Sequence, residues 1–335
     1  MVKISNIYYM LAYAFRSLNV GNISQMGGEE FDNLHELFAG IIINGMRKQL
    51  KQGLPRYYTG KCEELGDLRG KINFQSSVRG MTMIRHRLVC EFDEFTEDTP
   101  GNRLIKHAIT HLLQTHDVSP ARKHFLKFLR TSLSNVSDMG YNKIPQQRTG
   151  GAEYIMLVNI CRFLLDGMLM NTNGGCKIRE WLADEAMSSL YEHFILEYFR
   201  RHHSYLNARS ARIDWDMAVV PVYMPEMKSD VYLTYKGRTL IIDAKFYSRA
   251  MAEYFGKKKF HSHNLYQIFT YVKNADKAKD GSVSGMLLYA KTDEDITPDC
   301  DSVIGGNGIC IKTLDLSQDF SGIRTQLEKV AKVLV

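Results

Sequence analysis

Asp230, Asp243 and Lys245 are the residues whose types and spacing point most directly to chemistry. They bracket a run, Val231 to Ile242, that contains Lys236-Gly237. If those two residues form a hairpin loop, Tyr235 pairs with Arg238, and the same register sets Asp230 opposite Asp243. Lysine is a poor first residue for a type I′ turn, and a bulged loop would shift the register by one. Side chains alternate along a strand, so Lys245 shares the face of Asp243 while Ala244 points away. Two carboxylates held side by side repel, which implies either a raised pKa or a bound cation. Oxygen ligands from Asp230, Asp243 and a main-chain carbonyl, that of Ala244, completed by water, suit Mg²⁺ or Mn²⁺ rather than zinc. Lys245 beside such an ion can orient or deprotonate a water and stabilise charge on a phosphate oxygen. That combination is phosphodiester hydrolysis. The plainer reading is an edge hairpin with solvated charges. Against it stands Leu240-Ile241-Ile242, which marks a buried strand where an acid and a lysine are costly without a purpose.

Three further side chains fall where such a site wants them. Glu192 lies on a helical stretch with Leu196 and Phe199, and either turns its carboxylate toward the hairpin or makes a salt bridge at the edge of that face. Gln267 and Tyr271 are four apart, hence on one helix face. Gln267 can hold Lys245 or a water, and Tyr271 can touch a sugar or phosphate; packing with a satisfied polar tip is the alternative for both. Lys257-Lys258-Lys259 reads as a basic loop, either a phosphate contact or simply solvated. His202-His203 and His261 with His263 have the residue types of a metal site, but basic patches near a DNA path suit them better.

The elements that must position these residues follow from periodicity. The second half of the chain begins with a helical pattern from Glu180 to His202 and continues with strand-like runs at Met217–Tyr223, Asp230–Tyr235 and Thr239–Lys245. A helix from about Asn264 to Lys273, a strand over Ser284–Tyr289, a short strand around Ile309 and a helix from Ile323 to Val335 complete it. This order predicts an α/β core with a central mixed sheet flanked by helices. In the first half, Ile4–Phe15 is a buried helix or strand, and Leu34–Leu50 repeats apolar residues at helical spacing. Tyr57–Phe95 breaks into short pieces and reads as a small β module. Asp98-Thr99-Pro100 then starts a helix that covers Asn102–Leu113. Helices over Pro120–Leu133 and Glu153–Met170 follow. The chain as a whole is therefore α+β, and Asn171 to Gly175 is a breaker that sets a boundary between domains 1–175 and 176–335.

Composition narrows the function classes. With 335 residues, 44% apolar and 24% charged, the chain is long enough for two globular domains and is not a disordered one. The net charge of +6, with its basic excess in the first half, allows contact with nucleic acid without demanding it. Part of that excess lies between Ala121 and Arg148, as a solvated face or as a surface for DNA or an acidic partner. Six cysteines without a C-x-x-C pair suit a reducing cytoplasm and argue against a zinc ribbon. Tyr154–Met170, interrupted by Arg162 and Asp166, is too polar to span a bilayer, and no secretory leader opens the chain. No Walker A motif occurs: Gly60-Lys61, Gly70-Lys71 and Gly256-Lys257 are followed by Cys, Ile and Lys, so the chain should bind no nucleotide through a P-loop. Gly305-Gly306-Asn307-Gly308 is a turn.

The pattern E-x(37)-D-x(12)-D-A-K followed by Q-x-x-x-Y resembles the RecB-like form of the PD-(D/E)xK nuclease superfamily. Ser229 stands where proline is usual in that motif. A second resemblance covers nearly the whole chain. Ile7-Tyr8-Tyr9-Met10-Leu11, Leu68-Arg69-Gly70-Lys71-Ile72, Phe92-Asp93-Glu94-Phe95 through Pro100 to Asn102-Arg103, Met227 to Asp230, and Ile241 through Tyr247 are similar to the McrC family. These are the nuclease subunits of McrBC-type, modification-dependent restriction systems. The resemblance implies a PD-(D/E)xK fold for 176–335 and a partner-docking role for 1–175. It further implies an McrB-like hexameric AAA+ GTPase as partner, methylated double-stranded DNA as substrate, Mg²⁺ at Asp230 and Asp243, and GTP consumed by the partner alone. Two other readings remain: a stand-alone RecB-like repair nuclease, and a non-enzymatic activator of a GTPase with a vestigial nuclease site.

Overall fold

The computed structural model describes residues 2–15, 31–138, 150–169, 185–247, 252–254, 257–291 and 297–335. They fall into two compact units, one made of Met1–Leu37 with Asp166–Val335 and the other of Phe38–Leu165. The division differs from the expected 1–175 and 176–335, whose boundary at Gly175 lies outside the described residues. The difference comes from the opening segment, which is helix α1 (Ile4–Ala14) and belongs with the C-terminal elements. Asn6 Nδ2 donates to the carbonyls of Leu316 (2.8 Å) and Gln318 (2.7 Å), and Tyr9 stacks on Phe320 at 4.3 Å. Nothing in a local periodicity reports a partner three hundred residues away.

In the Phe38–Leu165 unit, the expected β module is a three-stranded sheet. Strand β1 (Tyr57–Leu65) runs antiparallel to β3 (Leu88–Thr96), and β2 (Lys71–Ile72) pairs on the other side of β3. Gly70, at φ +70°, lets the chain enter β2, because a Cβ there would collide with the Glu91 carbonyl oxygen. A short helix, α3 (Phe74–Arg79), interrupts the module. Helices α2 (Leu34–Gln52), α4 (Pro100–Gln114), α5 (Pro120–Ser132) and α6 (Ala152–Leu169) match the predicted ones. The start of α4 is built as its sequence suggests: Thr99 Oγ1 accepts the Asn102 N–H at 3.1 Å, and Pro100 follows the cap. Such a cap contributes about 1 kcal/mol. Asp98 takes two bonds from Arg103 (2.7 and 2.8 Å) and two from Ser137, so the Asp98-to-Arg103 block ties this unit together. Among the described residues no helix is long and apolar enough to cross a membrane.

The other unit holds the mixed sheet. After α7 (Glu185–His202), a two-residue pair, β4 (Arg212–Ile213) with β5 (Met227–Lys228), leads into β6 (Val231–Tyr235) and β7 (Arg238–Lys245). Then come β8 (Ala252–Tyr254), β9 (Lys257–Lys259), α8 (Ser262–Ala275), β10 (Val283–Ala290), β11 (Cys300–Ile304), β12 (Asn307–Leu314) and α9 (Phe320–Lys332). The sheet order is β11-β12-β10-β7-β6, with β10 parallel to both neighbours and the two edge strands antiparallel. Three expectations are corrected. Met217–Tyr223 is not a strand: it is exposed, has no ladder partner among the described residues, and includes Pro221, which has no N–H to give one. Lys257–Lys259 is a strand paired with β8 rather than a loop, and its side chains lie outside the described ones. β11 was unexpected because its mostly exposed residues carry no apolar period.

The Lys236-Gly237 loop has the predicted register, with Tyr235 opposite Arg238 and Val231 opposite Ile242. Both loop residues have positive φ, +46° and +81°, as a type I′ turn requires. On one face, Ile241, Leu287, Tyr289, Ile309 and Ile311 pack with Ile268, Tyr271 and Val272 of α8. Full burial of each aliphatic side chain contributes roughly 1.5–3 kcal/mol. Gly285 permits that contact: a Cβ at this position would lie 2.7 Å from Ile268 Cγ1 and 2.8 Å from Val272 Cγ2. The closeness of α8 to the sheet is what brings Gln267 over the end of β7.

Candidate active site

The hairpin delivers the carboxyl groups of Asp230 and Asp243 to one place. Asp230 Oδ2 accepts the Ala244 N–H at 2.8 Å, so the first acid is fixed by the backbone between the second acid and the lysine. Asp243 is buried, with a side chain only 1% exposed, and Lys245 Nζ stands 2.8 Å from its Oδ2. This contact is an ion pair without hydrogen-bond geometry, and Asp243 Oδ2 has no hydrogen-bond partner among the described residues. Gln267 Oε1 lies 3.3 Å from Lys245 Nζ, and Gln267 Nε2 donates to the Tyr271 hydroxyl at 2.9 Å. The relay Asp243, Lys245, Gln267, Tyr271 therefore runs from the end of β7 up one face of α8.

Burial, followed by the charges of Asp243 and Glu192, pushes Asp230 up to about 7. Burial raises Asp243 as well, against the pull of Lys245. For Lys245, burial alone would lower the ammonium, but the adjacent Asp243 carboxylate outweighs it and holds the group above its ordinary value. Two acids sharing a proton beside one cation is the protonation state this geometry favours. Burial also raises Glu192, whose Oε1 accepts from Ser188 Oγ at 3.2 Å and whose charge is felt by Asp230.

Of the residues singled out in the sequence, Asp230, Asp243, Ala244, Lys245, Gln267 and Tyr271 come together, with Glu192 at the margin of the group. Tyr271 is 8% exposed and packs in the core, and its hydroxyl accepts from Gln267 Nε2. Lys257, Lys258 and Lys259 have no described side chains to place. Two residues escaped the sequence reading. Asn264, fully buried in the first turn of α8, donates to the Tyr289 hydroxyl at 3.0 Å and accepts from the Tyr247 hydroxyl at 3.2 Å. Tyr289 is the β10 neighbour of Lys245. The signal available was an asparagine one turn before Gln267, on a helix already marked as facing the site.

The donor set fits a hard divalent cation: two carboxylates, one of them with a buried oxygen that has no hydrogen bond among the described residues. Among the described residues no group of three His, Cys, Asp or Glu side chains stands close enough to hold a metal, so such an ion would depend on Asp230 and Asp243 with a main-chain oxygen and water. His202 and His203 instead contact Tyr13 and Glu328.

Residues 4–290 match the family described as McrBC 5-methylcytosine restriction system component. The chain is similar to the type IV methyl-directed restriction enzyme EcoKMcrBC of Escherichia coli K12, with 26% identity over 98% of this chain and 96% of that protein. Its fold is similar to a chain in the half-complex of the tetradecameric assembly of Thermococcus gammatolerans McrB AAA+ hexamers with bound McrC. The TM-score is 0.54 at 14% identity, covering 98% of this chain and 76% of the other.

Proposed function

The chain belongs to the McrBC 5-methylcytosine restriction system family, and from that premise we propose that it is the system's DNA-cutting subunit, a Mg²⁺-dependent endonuclease. The observation that carries this reading is the buried Asp230–Asp243 pair with Lys245 held against it by Gln267. Asp230, Asp243 and the Ala244 carbonyl would hold Mg²⁺, with Mn²⁺ as a substitute. The bound ion would supply a Lewis acid for the phosphate and a water of lowered pKa.

This chain's residues do the rest. Asp230 is aimed by the Ala244 N–H and Asp243 by the strand, so both oxygens are placed before substrate arrives. Lys245 keeps its proton at neutral pH, so it acts at Nζ as a fixed positive donor to the phosphate oxygen on which charge grows. Gln267 and Tyr271 restrict that ammonium to one position, and Glu192 supports the water shell at the margin.

The partner follows from the relatives. The assembly from Thermococcus joins McrB AAA+ hexamers to McrC, and we take this chain to dock, through the part before residue 176, on an AAA+ GTPase that hydrolyses GTP and drives DNA toward the site. The chain lacks a P-loop of its own, in keeping with that division. Methylated double-stranded DNA in the cytoplasm is the proposed substrate.

The test is cleavage of methylated and unmethylated plasmid in Mg²⁺, with and without the partner GTPase and GTP, with Asp243→Ala as control. Cutting that requires partner, GTP, methylation and Asp243 supports the reading. Cutting by the chain alone turns it into a free-standing nuclease, and stimulation of GTP hydrolysis without any cutting turns it into an activator.

A further inference from the structure

Beside the acid pair, on the edge of the same sheet, residues 209–213 lie along β5 and the start of β6. Arg209 and Tyr232 exchange both main-chain bonds (3.1 and 2.7 Å), and the Ser229 N–H donates to the Ala211 carbonyl at 2.9 Å. Ser210 Oγ adds a bond to the Ser229 carbonyl at 2.7 Å. Ser229 immediately precedes Asp230, so this segment is bolted to the residue that aims the first acid. Between it and the end of α8 is an open cleft of about 400 Å³, whose lining includes Arg209, Arg212, Tyr232, Asn274 and Lys277, with Asp214 as its one acid.

The cleft's charges are not matched internally. Arg212 faces Glu226 at 3.6 Å, but Arg209 and Lys277 have no acidic partner among the described residues. Arg209 is nonetheless held in place: its guanidinium lies over the Tyr232 ring at 4.7 Å. The Asn274 amide is already engaged, accepting from the Asp216 N–H at 2.7 Å and donating to the Thr270 carbonyl at 2.8 Å, so it stiffens the wall. A guanidinium held in place, with a second cation lining the same polar cleft, is a receptor for phosphate oxygens. Its position gives the scale. Tyr232 is two residues along β6 from Asp230, about 7 Å at strand spacing, and a DNA strand rises about 3.4 Å per nucleotide.

We propose that the Arg209–Lys277 cleft is a phosphodiester-binding subsite that holds the DNA strand about two nucleotides from the bond cut at Asp230 and Asp243. The proposal rests on the nuclease reading of that pair, but its test does not need cutting. The affinity of the full chain for a short fluorescent duplex is measured in EDTA across salt, for the unaltered protein, Arg209→Gln/Lys277→Gln, Arg209→Lys and, as an exposed cation that does not line the cleft, Lys329→Gln.

Two lost phosphate contacts make the slope of log affinity against log salt shallower by about 1.8. Between about 50 and 200 mM salt the double variant should therefore lose roughly 12-fold less affinity than the unaltered chain. Arg209→Lys should keep the unaltered slope, and Lys329→Gln should match the unaltered protein throughout. Equal affinity and equal slope in a double variant with an unchanged melting curve would overturn the subsite, as would the absence of salt-dependent binding in the unaltered chain. Failure of the nuclease reading shows elsewhere, as cutting by Asp243→Ala.

Discussion

Replacing Asp230 with asparagine should make the metal-free protein more stable at alkaline pH while abolishing cutting. In the folded chain burial, then the Asp243 and Glu192 charges, lift the Asp230 carboxyl from 3.8 to about 7. At 1.36 kcal/mol per pKa unit that is roughly 4 kcal/mol, an upper bound because the two acids titrate as a pair. The folded state holds a proton that the unfolded chain releases between these values, so stability is fully present below pH 3.8 and falls as pH rises through 7. Asparagine carries no charge at any pH, and its side-chain oxygen can still accept the Ala244 N–H. The assay is calorimetry in EDTA at about pH 4.5 and pH 8, following the transition of the unit that contains the sheet. Relative to the unaltered protein, Asp230→Asn should gain little at the acid end and a few kcal/mol at the alkaline end, about 2–4 °C per kcal/mol for a unit of this size. Adding Mg²⁺ at the alkaline end should raise the unaltered transition and leave the variant where it was. A gain of the same size at both pH values would refute the argument that a strained acid pair is waiting for a cation.

Lys245→Met, which keeps the stem and removes the charge, should reduce plasmid cutting by at least about 100-fold with GTPase stimulation intact. Gln267→Ala should cause a smaller loss, on the order of 10-fold, by freeing the ammonium it positions. Equal losses from both would place Gln267 in contact with the substrate. Gly285→Ala should destabilise the sheet unit by about 1–3 kcal/mol, read as a lower unfolding midpoint, because the new methyl group would stand under 3 Å from Ile268 and Val272. An unchanged midpoint would mean that α8 can lift without loss.

The placement of the three candidate residues was legible because it is local. A two-residue turn and strand alternation place Asp230, Asp243 and Lys245 together, and the structure has the register those rules require. Lysine at φ +46° shows the turn winning over residue preference, with Gly237 supplying the second positive φ. Helices with a cap or an apolar stripe, such as α4 and α8, were equally readable. The misses are non-local. α1 joins the sheet unit through Asn6, Tyr9 and Tyr13, and such contacts leave no periodic trace. The β-branched residues of Met217–Tyr223 look like a strand, but a strand exists only where a ladder partner is available. β11 is the converse case, an edge strand recruited by β12 through a Gly305-Gly306 turn despite weak residues of its own.

Ser229 shows how the site tolerates departure from its own pattern. Proline before the first acid would have no N–H to donate, yet here the Ser229 N–H bonds the Ala211 carbonyl, and the Ser229 hydroxyl lies 3.2 Å from both the Ala211 N and its carbonyl. Serine thus replaces a stiff residue with three contacts to the neighbouring segment, while Asp230 receives its second anchor from the Ala244 N–H. Residue 229 is itself buried, so these bonds form away from competing water and hold better than they would at the surface. The aim of the first acid consequently depends on segment 209–211 as well as on the hairpin. Ser229→Ala would remove the hydroxyl contacts and keep the main-chain bond, and its cutting rate should fall less than that of Ser229→Pro, which loses both. Equal rates for the two variants would mean that the hairpin alone aims Asp230.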